Sequence, residues 1–299
     1  MIMGKHVAVD WGSSNFRAWL FDGDRVLEAR QVPDGGILQV AEGGYEQALR
    51  DRLGDWLQYT DRVVLAGMVT SRNGWVETPY LACPTSVTAL HLQATQRSFP
   101  GMDCRFLPGI CQNTPQPDVM RGEELQILGA MAGAGLETVV LPGTHSKWAI
   151  VRDRVVQGFG TWLTGELYAL VRYKSLAGRL GVEADWDPDA FAAGLDAAAG
   201  PSPMASIFAA RSSVLLSRMA PAAVGDYLSG LMIGCEVREA LARDLVAGTV
   251  TLVAPPALLG RYEAALARFG IGPPRLVSDA TQRGFARLVG DCAPVPDVS

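Results

Sequence analysis

The chain reads as an α/β protein of two lobes, and three observations carry that reading. Two distant segments share one design: Val7-Ala-Val-Asp10-Trp-Gly12-Ser13-Ser14-Asn15-Phe-Arg17-Ala-Trp19 and Val139-Val-Leu-Pro-Gly143-Thr144-His145-Ser146-Lys147-Trp148-Ala-Ile150. In each, an apolar run meets a glycine and a hydroxyl residue, crosses polar positions that include a cation, and returns to an apolar run. That pattern predicts two strands joined by a tight polar tip. Helix and strand signals follow each hairpin, so the architecture is duplicated without sequence repetition and a single doubly wound sheet does not fit. Length agrees, because 299 residues are enough for two ordinary domains with separate cores.

In the first lobe, hairpin strands are expected near 6–12 and 15–22, with a third over 25–31. A helix over 45–57 follows from Leu49, Leu53, Trp56 and Leu57 at helical spacing. The run Arg62-Val-Val-Leu-Ala-Gly-Met-Val69 reads as a buried strand. It ends in a polar loop holding Arg72 and Asn73, the place where α/β sheets present ligand contacts. Residues 83–117 alternate prolines with short apolar runs and suit loops and short strands. Arg121-Gly122-Glu123-Glu124 then opens a helix through Leu125, Ile127, Leu128, Met131 and Ala132, with carboxylates in the first turn where the helix dipole favours them.

Gly133-Ala-Gly135 is the expected crossing between lobes. The N-terminal lobe is thus 1–134 and the C-terminal lobe 135–299, the last helix being the element that can return to the first lobe. The second lobe is read as helices over 165–176, 189–199, 207–217 and 223–246, a strand over 248–254 and a helix over 258–269. Pro201-Ser-Pro203 reads as a linker and the Pro-rich stretch from Pro294 as a disordered end.

An apolar fraction of 48% and a charged fraction of 19% mark a soluble globular chain. Lys and Arg total 26 against 31 Asp and Glu, giving a net charge of −5 without any basic run, so nucleic acid is not an expected partner. No apolar run approaches the roughly 20 residues that span a bilayer, and the start Met1-Ile-Met-Gly-Lys-His has no signal-peptide pattern. Five cysteines, Cys83, Cys104, Cys111, Cys235 and Cys292, lack a C-x-x-C spacing and are odd in number. A reducing cytoplasm with structural thiols is the expected setting. A homodimer is a candidate assembly.

The chemistry centres on the two tips. Backbone N–H groups and hydroxyls at such tips suit phosphate oxygens, which makes Gly12, Ser13, Ser14, Asn15, Gly143, Thr144, His145, Ser146 and Lys147 the candidate nucleotide contacts. Asp10 would repel phosphate directly, so a Mg²⁺ ion between them is expected; alone, the residue would read as a turn-initiating Asp. Arg17 and Lys147 can neutralise charge on a transferred phosphoryl group. Glu123 and Glu124 are candidates for the base that accepts a hydroxyl proton, although acids at helix starts also serve the dipole alone. Arg72, Asn73 and Arg121 are candidate grips for a substrate carboxylate. Three histidines without ligand spacing argue against zinc. Trp11, Trp19, Trp75, Trp148 and Trp162 are expected mostly to fill core. Neither a P-loop nor a G-x-G-x-x-G motif is present.

Taken in order, these segments resemble the superfamily of acetate kinase, sugar kinases, heat-shock ATPase chaperones and actin, and within it the 2-dehydro-3-deoxygalactonokinase family. The likeness spans nearly the whole chain: Val9 to Trp19, Ala66-Gly-Met-Val69 with Gly74-Trp75, Met120-Arg-Gly-Glu-Glu124, Leu141 to Trp148, Thr164-Gly-Glu166 and Leu228-Ser-Gly-Leu-Met-Ile-Gly234. It implies two ribonuclease-H-like lobes, the actin-like ATPase fold, with an interlobe active-site cleft. It also implies ATP with Mg²⁺, and γ-phosphoryl transfer to the 6-hydroxyl of 2-dehydro-3-deoxy-D-galactonate in galactonate catabolism. Asp10 at the metal, both hairpins at the phosphates, sugar-acid contacts in the first lobe and an adenosine site in the second carry over, with Glu166 added to the substrate contacts. A Gly-x-Glu-Glu segment opening the equivalent helix in exopolyphosphatases favours Glu124 as the base over Glu123. One departure is Val253-Ala-Pro255-Pro256-Ala-Leu-Leu259, where the superfamily places glycines under adenosine; proline there fixes φ and removes an N–H.

Two other functions share these features. A phosphohydrolase would use water as nucleophile and release free phosphate, and a non-enzymatic actin-like or chaperone-like switch would bind a protein partner in an ATP-dependent way.

Overall fold

In the computed structural model, residues 4–86 and 89–290 are described. The first three residues, Cys292 and the Pro-rich stretch from Pro294 lie outside the described residues. The strands in chain order are β1 (Lys5–Trp11), β2 (Phe16–Asp22), β3 (Arg25–Val32), β4 (Arg62–Ala66), β5 (Tyr80–Ala82), β6 (Thr85–Ser86), β7 (Thr95–Phe99), β8 (Met102–Phe106), β9 (Gly109–Gln112), β10 (Asp118–Met120), β11 (Leu136–Leu141), β12 (Ser146–Arg152), β13 (Val155–Trp162), β14 (Thr249–Leu252) and β15 (Arg275–Leu276). The α-helices are α1 (Tyr45–Leu53), α2 (Ala89–Leu92), α3 (Glu123–Ala130), α4 (Thr164–Lys174), α5 (Pro188–Ala199), α6 (Pro203–Leu215), α7 (Val224–Ala242), α8 (Pro256–Arg268) and α9 (Ala280–Gly290).

Two units divide the chain. The first holds residues 1–134, 151–158 and 279–299; the second holds 135–150 and 159–278. The last helix, α9, therefore groups with the first unit, where it packs on α3. Arg287 Nη1 seals that contact by donating to the carbonyls of Leu128 and Met131 at 2.7 and 2.9 Å, oxygens that the end of α3 leaves without helical partners. The outer end of the β12–β13 hairpin also counts with the first unit, since Val155 and Val156 pair antiparallel with Ser86 and Thr85.

The main sheet of the first unit has the order β3-β2-β1-β4-β8-β7. β1 and β2 form the expected antiparallel hairpin, with Asp10 opposite Arg17 and Trp11 opposite Phe16, and β4 joins β1 in parallel. Val7, Val9, Trp11, Phe16, Leu20, Val63 and Leu65 point into a core closed by Leu49 and Leu53 of α1 and by Trp56. The sequence pattern places a helix over 45–57; the α-helix ends at Leu53 because Gly54 breaks it, and Trp56 reaches the core from a 3₁₀ turn. The expected strand over 62–69 stops at Ala66, where Gly67 turns the chain into a 3₁₀ turn over Met68–Thr70. Trp75 packs against Phe99 and Phe106, as core filling requires.

In the second unit, β15, β14, β11, β12 and β13 are neighbours in that order. β14 is parallel to both β11 and β15. The long, buried α7 packs on α5, α4, α6 and α8. Its residues Ile233 and Val237 join Val140, Trp148, Phe191, Leu195, Tyr262 and Leu266 in one core, while Leu228 and Leu231 enter a second beside Ala198 and Ala210. Pro203 and Pro256 both occupy first-turn helix positions, where a missing N–H leaves no helical bond unmade. The Pro255-Pro256 pair thus starts α8 instead of interrupting a glycine turn. No helix among the described residues is long and apolar enough to cross a membrane.

Candidate active site

The first group of candidate residues is assembled where two glycine backbones meet. Gly67 follows β4 at φ +89°, and a Cβ there would lie 3.0 Å from Asp10 Oδ1 and from the carbonyl oxygen of Trp11. Gly122 precedes α3 at φ +106°, and its Cβ would lie 3.5 Å from Gly67 Cα. Both conformations favour glycine. Together they bring the start of α3, with Glu123 and Glu124, next to the end of β1, with Asp10.

Asp10 is 13% exposed at its side chain and pairs with Arg17 across the hairpin. Burial raises the Asp10 carboxyl above its ordinary value; the charge and hydrogen bond of Arg17 oppose this, and the charge of Glu123 adds to it. Arg17 also reaches Thr281 Oγ1 of α9 at 3.5 Å and lies over the Trp19 ring. Glu124 is 1% exposed, and its oxygens accept from Gly122 N at 2.9 and 2.7 Å, while Glu123 Oε2 accepts from Arg121 N at 3.0 Å. Burial and then the Glu123 charge push the Glu124 carboxyl up to about 8, against the lowering pull of backbone hydrogen bonds and Arg121. Two adjacent carboxylates with different environments are the arrangement that separates proton-holding from charge-holding roles.

The first tip, holding Gly12, Ser13, Ser14 and Asn15, is clamped on one side. Gly12 N donates to Asn15 O at 3.0 Å. Gly36, Ile37 and Leu38 donate to the carbonyls of Ser14, Gly12 and Ser13 at 2.9, 3.0 and 3.2 Å. Ser14 and Asn15 are exposed. Arg121, expected as a substrate grip, is engaged with the 70–80 loop. Its Nη1 donates to Thr70 Oγ1 at 2.7 Å and to Thr78 Oγ1 at 2.6 Å, its Nη2 donates to Thr78 O at 3.0 Å, and its guanidinium covers the Tyr80 ring. That loop carries Arg72 and Asn73, both exposed.

For Mg²⁺, the donor set fits a particular kind of site. Asp10 offers one hard carboxylate, and no cluster of three or more Asp, Glu, His or Cys residues shaped to hold a metal exists among the described residues. One carboxylate suits an ion that takes its other oxygens from phosphate and water, as Mg²⁺ does.

The second tip lies in the second unit. Thr144 and His145 are exposed, whereas Ser146 and Lys147 are buried at 0% and 3%. Ser146 Oγ sits 3.1 Å from the Tyr262 hydroxyl, and Lys147 Nζ donates to His145 O at 3.3 Å. The expected hydroxyl and cation at these two positions are thus turned into the protein. His145 Nε2 and Glu166 Oε2 are 2.6 Å apart, so two candidates assigned to different ligands from sequence stand together. Glu166 N also donates to Thr144 O at 3.1 Å, tying the first turn of α4 to the tip.

Beside this tip the second unit has a pocket of about 240 Å³, lined by Gly143, Thr164, Tyr168, Ser229, Arg261 and Tyr262 among others. Thr164 and Ser229 belong to segments already singled out in the sequence. Tyr168, Arg261 and Tyr262 were not; single residues on helices give no spacing signal. Arg261 is paired with Asp226 at 2.5 Å and lies over the rings of Trp186 and Phe191. Ala257 and Leu258, in the first turn of α8 behind Pro255-Pro256, complete one wall. Also absent from the sequence reading is Glu236 of α7. This buried carboxylate accepts from Trp148 Nε1 at 2.8 Å, from Thr164 Oγ1 and from the Tyr262 hydroxyl.

The family model for 2-keto-3-deoxy-galactonokinase matches residues 10–288. The 2-dehydro-3-deoxygalactonokinase of Escherichia coli K12 is 37% identical over 289 residues, covering 95% of this chain and 97% of that protein. A crystal structure from Sinorhizobium meliloti, described as a 2-dehydro-3-deoxygalactonokinase protein, superposes with a TM-score of 0.88 at 32% identity, over 97% of this chain and 100% of the other. The fold is shared more widely: a Streptomyces griseus ROK-family glucokinase solved with glucose and AMPPNP gives a TM-score of 0.50 at 16% identity, over 96% of this chain and 100% of that one. The chain belongs to the 2-keto-3-deoxy-galactonokinase family.

Proposed function

We propose that this protein is the ATP-dependent kinase that phosphorylates the 6-hydroxyl of 2-dehydro-3-deoxy-D-galactonate in galactonate catabolism. Family membership across residues 10–288 is the observation that carries this reading. The two sets of groups described above support it chemically. In the first unit, Asp10 would hold Mg²⁺, which when bound neutralises phosphate charge. Arg17 adds a second positive charge beside it. Glu124, pushed to about 8 by burial and by the charge of Glu123 beside it, takes the hydroxyl proton. A base with a pKa near working pH combines adequate basicity with a useful deprotonated fraction. Arg72 and Asn73 face the substrate carboxylate from an exposed loop, with Arg121 fixing that loop. In the second unit, the pocket beside Arg261 takes the adenosine, and the tip with Gly143, Thr144 and His145 takes phosphate oxygens, Glu166 orienting His145.

The phosphohydrolase and nucleotide-switch readings are not favoured, because the family matched across the chain is a sugar-acid kinase family. A cytoplasmic location, independence from nucleic acid and membrane, and a homodimeric assembly are part of the same proposal. The outward apolar residues Leu170, Tyr173 and Leu176 near the end of α4, with Phe208 and Leu215 of α6, support the dimer. Light scattering on the eluting protein checks that point: twice the chain mass is expected, and the chain mass alone removes it. The functional test is ADP release with ATP and Mg²⁺, comparing 2-dehydro-3-deoxygalactonate, its gluconate epimer and no acceptor. Release that requires the galacto acid is expected; equal release without acceptor would contradict the kinase reading.

A further inference from the structure

Glu236 belongs to the second unit's polar interior and has no task in the functional reading. It lies in the middle of α7, is 1% exposed, and the atoms bonded to it come from three other elements. Trp148 Nε1 of β12 donates at 2.8 Å, Thr164 Oγ1 at the start of α4 donates to Oε2, and the Tyr262 hydroxyl of α8 donates to both oxygens, at 3.1 and 2.9 Å. Tyr262 has a single hydroxyl hydrogen, and it points at the carboxylate. Its oxygen therefore accepts from Ser146 Oγ at 3.1 Å, and Ser146 Oγ accepts from Gly143 N at 3.4 Å. A one-way chain of donors results, from Gly143 N–H through Ser146 and Tyr262 to Glu236. Aligned bonds of this kind polarise one another and hold each member to one orientation.

A carboxylate this deep is tolerated only when its lone pairs are met by donors, as they are here. An apolar side chain at 236 would fill a helix interface without that requirement, but it would leave the hydroxyls of Thr164 and Tyr262 without their acceptor. Two of the three residues bonded to Glu236, Thr164 and Tyr262, line the pocket, and the chain of donors begins at Gly143, which lines it too.

We propose that Glu236 is a positioning residue for nucleotide: through Tyr262 and Ser146 it fixes the 143–147 turn, and through Thr164 it fixes the first turn of α4, so that tip and pocket hold one geometry for a triphosphate. The inference rests on the proposed nucleotide role of that tip and pocket. Glu236 itself touches no substrate.

Steady-state kinetics of the full chain, Glu236→Gln and Tyr262→Phe test it, with KM measured separately for ATP and for the sugar acid. Gln keeps the volume but turns a donor toward donors. Phe keeps the ring and removes the hydroxyl that joins Glu236 to Ser146. KM for ATP is expected to rise about ten-fold in Glu236→Gln and several-fold in Tyr262→Phe, the scale of losing a hydrogen bond to a charged group, with KM for the sugar acid unchanged in both. If Glu236→Gln does not fold, Tyr262→Phe decides. KM for ATP within two-fold of the parent, or equal rises in both KM values, would overturn the positioning role while the kinase reading stood. A parent protein that releases no ADP with ATP and the sugar acid would overturn the functional reading, and the inference with it.

Discussion

At the scale of single residues the proposed chemistry turns on Glu124. Its carboxyl is pushed up to about 8 by burial and by Glu123, so activity that depends on its ionised form should rise with pH through that value. Glu124→Gln is expected to lower kcat by about a hundred-fold or more, the usual weight of a general base, and the loss should appear in single-turnover rates. Glu123→Gln removes a neighbouring negative charge, which lowers the Glu124 value and shifts the pH–rate profile to lower pH. If instead Glu123→Gln abolishes turnover and Glu124→Gln leaves it within a few-fold, the two roles are exchanged. Stability gives an independent check. The native state holds this proton more tightly than the unfolded chain, so the stabilisation is present at low pH and is lost as pH rises from the ordinary carboxylate range to about 8. Glu124→Gln should therefore melt at an increasingly higher temperature than the parent as pH goes from 5 to 8. Asp10→Asn keeps the side-chain volume and removes the hard anionic ligand; the Mg²⁺ concentration giving half-maximal rate should rise, and an unchanged metal titration would contradict the assignment.

At the scale of elements, the proposed site depends on how β1 and β4 end and how α3 begins. Gly67→Ala would place a methyl group 3.0 Å from Asp10 Oδ1 on a backbone at φ +89°. A loss of roughly 1–3 kcal/mol is expected from the strained backbone alone, readable as a lower urea midpoint. Arg121→Lys keeps the charge but cannot make the paired bonds to Thr70 and Thr78. The expected result is a higher KM for the sugar acid through a loosened 70–80 loop, with KM for ATP unchanged. The sequence made the hairpins legible because alternation and a glycine tip are local signals, and the start of α3 because its acids stand beside an apolar helical stripe. The short strands expected over 83–117 are there, but the place of the β7–β8 hairpin in the main sheet was not legible: Thr95, Gln96, Arg97 and Ser98 show no apolar alternation because β7 is an edge strand facing solvent. The partners of Arg121, read from sequence as a grip for the substrate carboxylate, were not legible either, since the threonines that engage it lie 43 and 51 positions away. Ser146 and Lys147 looked like tip residues, and the hydroxyl that meets Ser146 inside the protein belongs to Tyr262, 116 positions away.

At the scale of the molecule, the strand order β3-β2-β1-β4-β8-β7 in the first unit, and the neighbouring β14, β11, β12 and β13 in the second, place the two similar hairpins in separate bodies, each with its own core. The duplicated pattern was therefore readable. What one sequence could not reveal was the interior of the second unit, where Glu236, Tyr262 and Thr164 meet from positions 26 and 72 residues apart; a lone glutamate on a helix ordinarily marks a solvated face. The pocket follows from the same convergence, with Pro255-Pro256 setting the start of α8 along its wall. The central claim is that this scaffold moves a phosphoryl group to a sugar acid and not to water. Its most direct test is the fate of a label: ATP carrying labelled γ-phosphate is incubated with Mg²⁺ and 2-dehydro-3-deoxygalactonate, and the products are separated. Label recovered in the 6-phosphorylated sugar acid, in amounts equal to the ADP formed, is the predicted result, and label recovered as free phosphate while the sugar acid stays unmodified would contradict it.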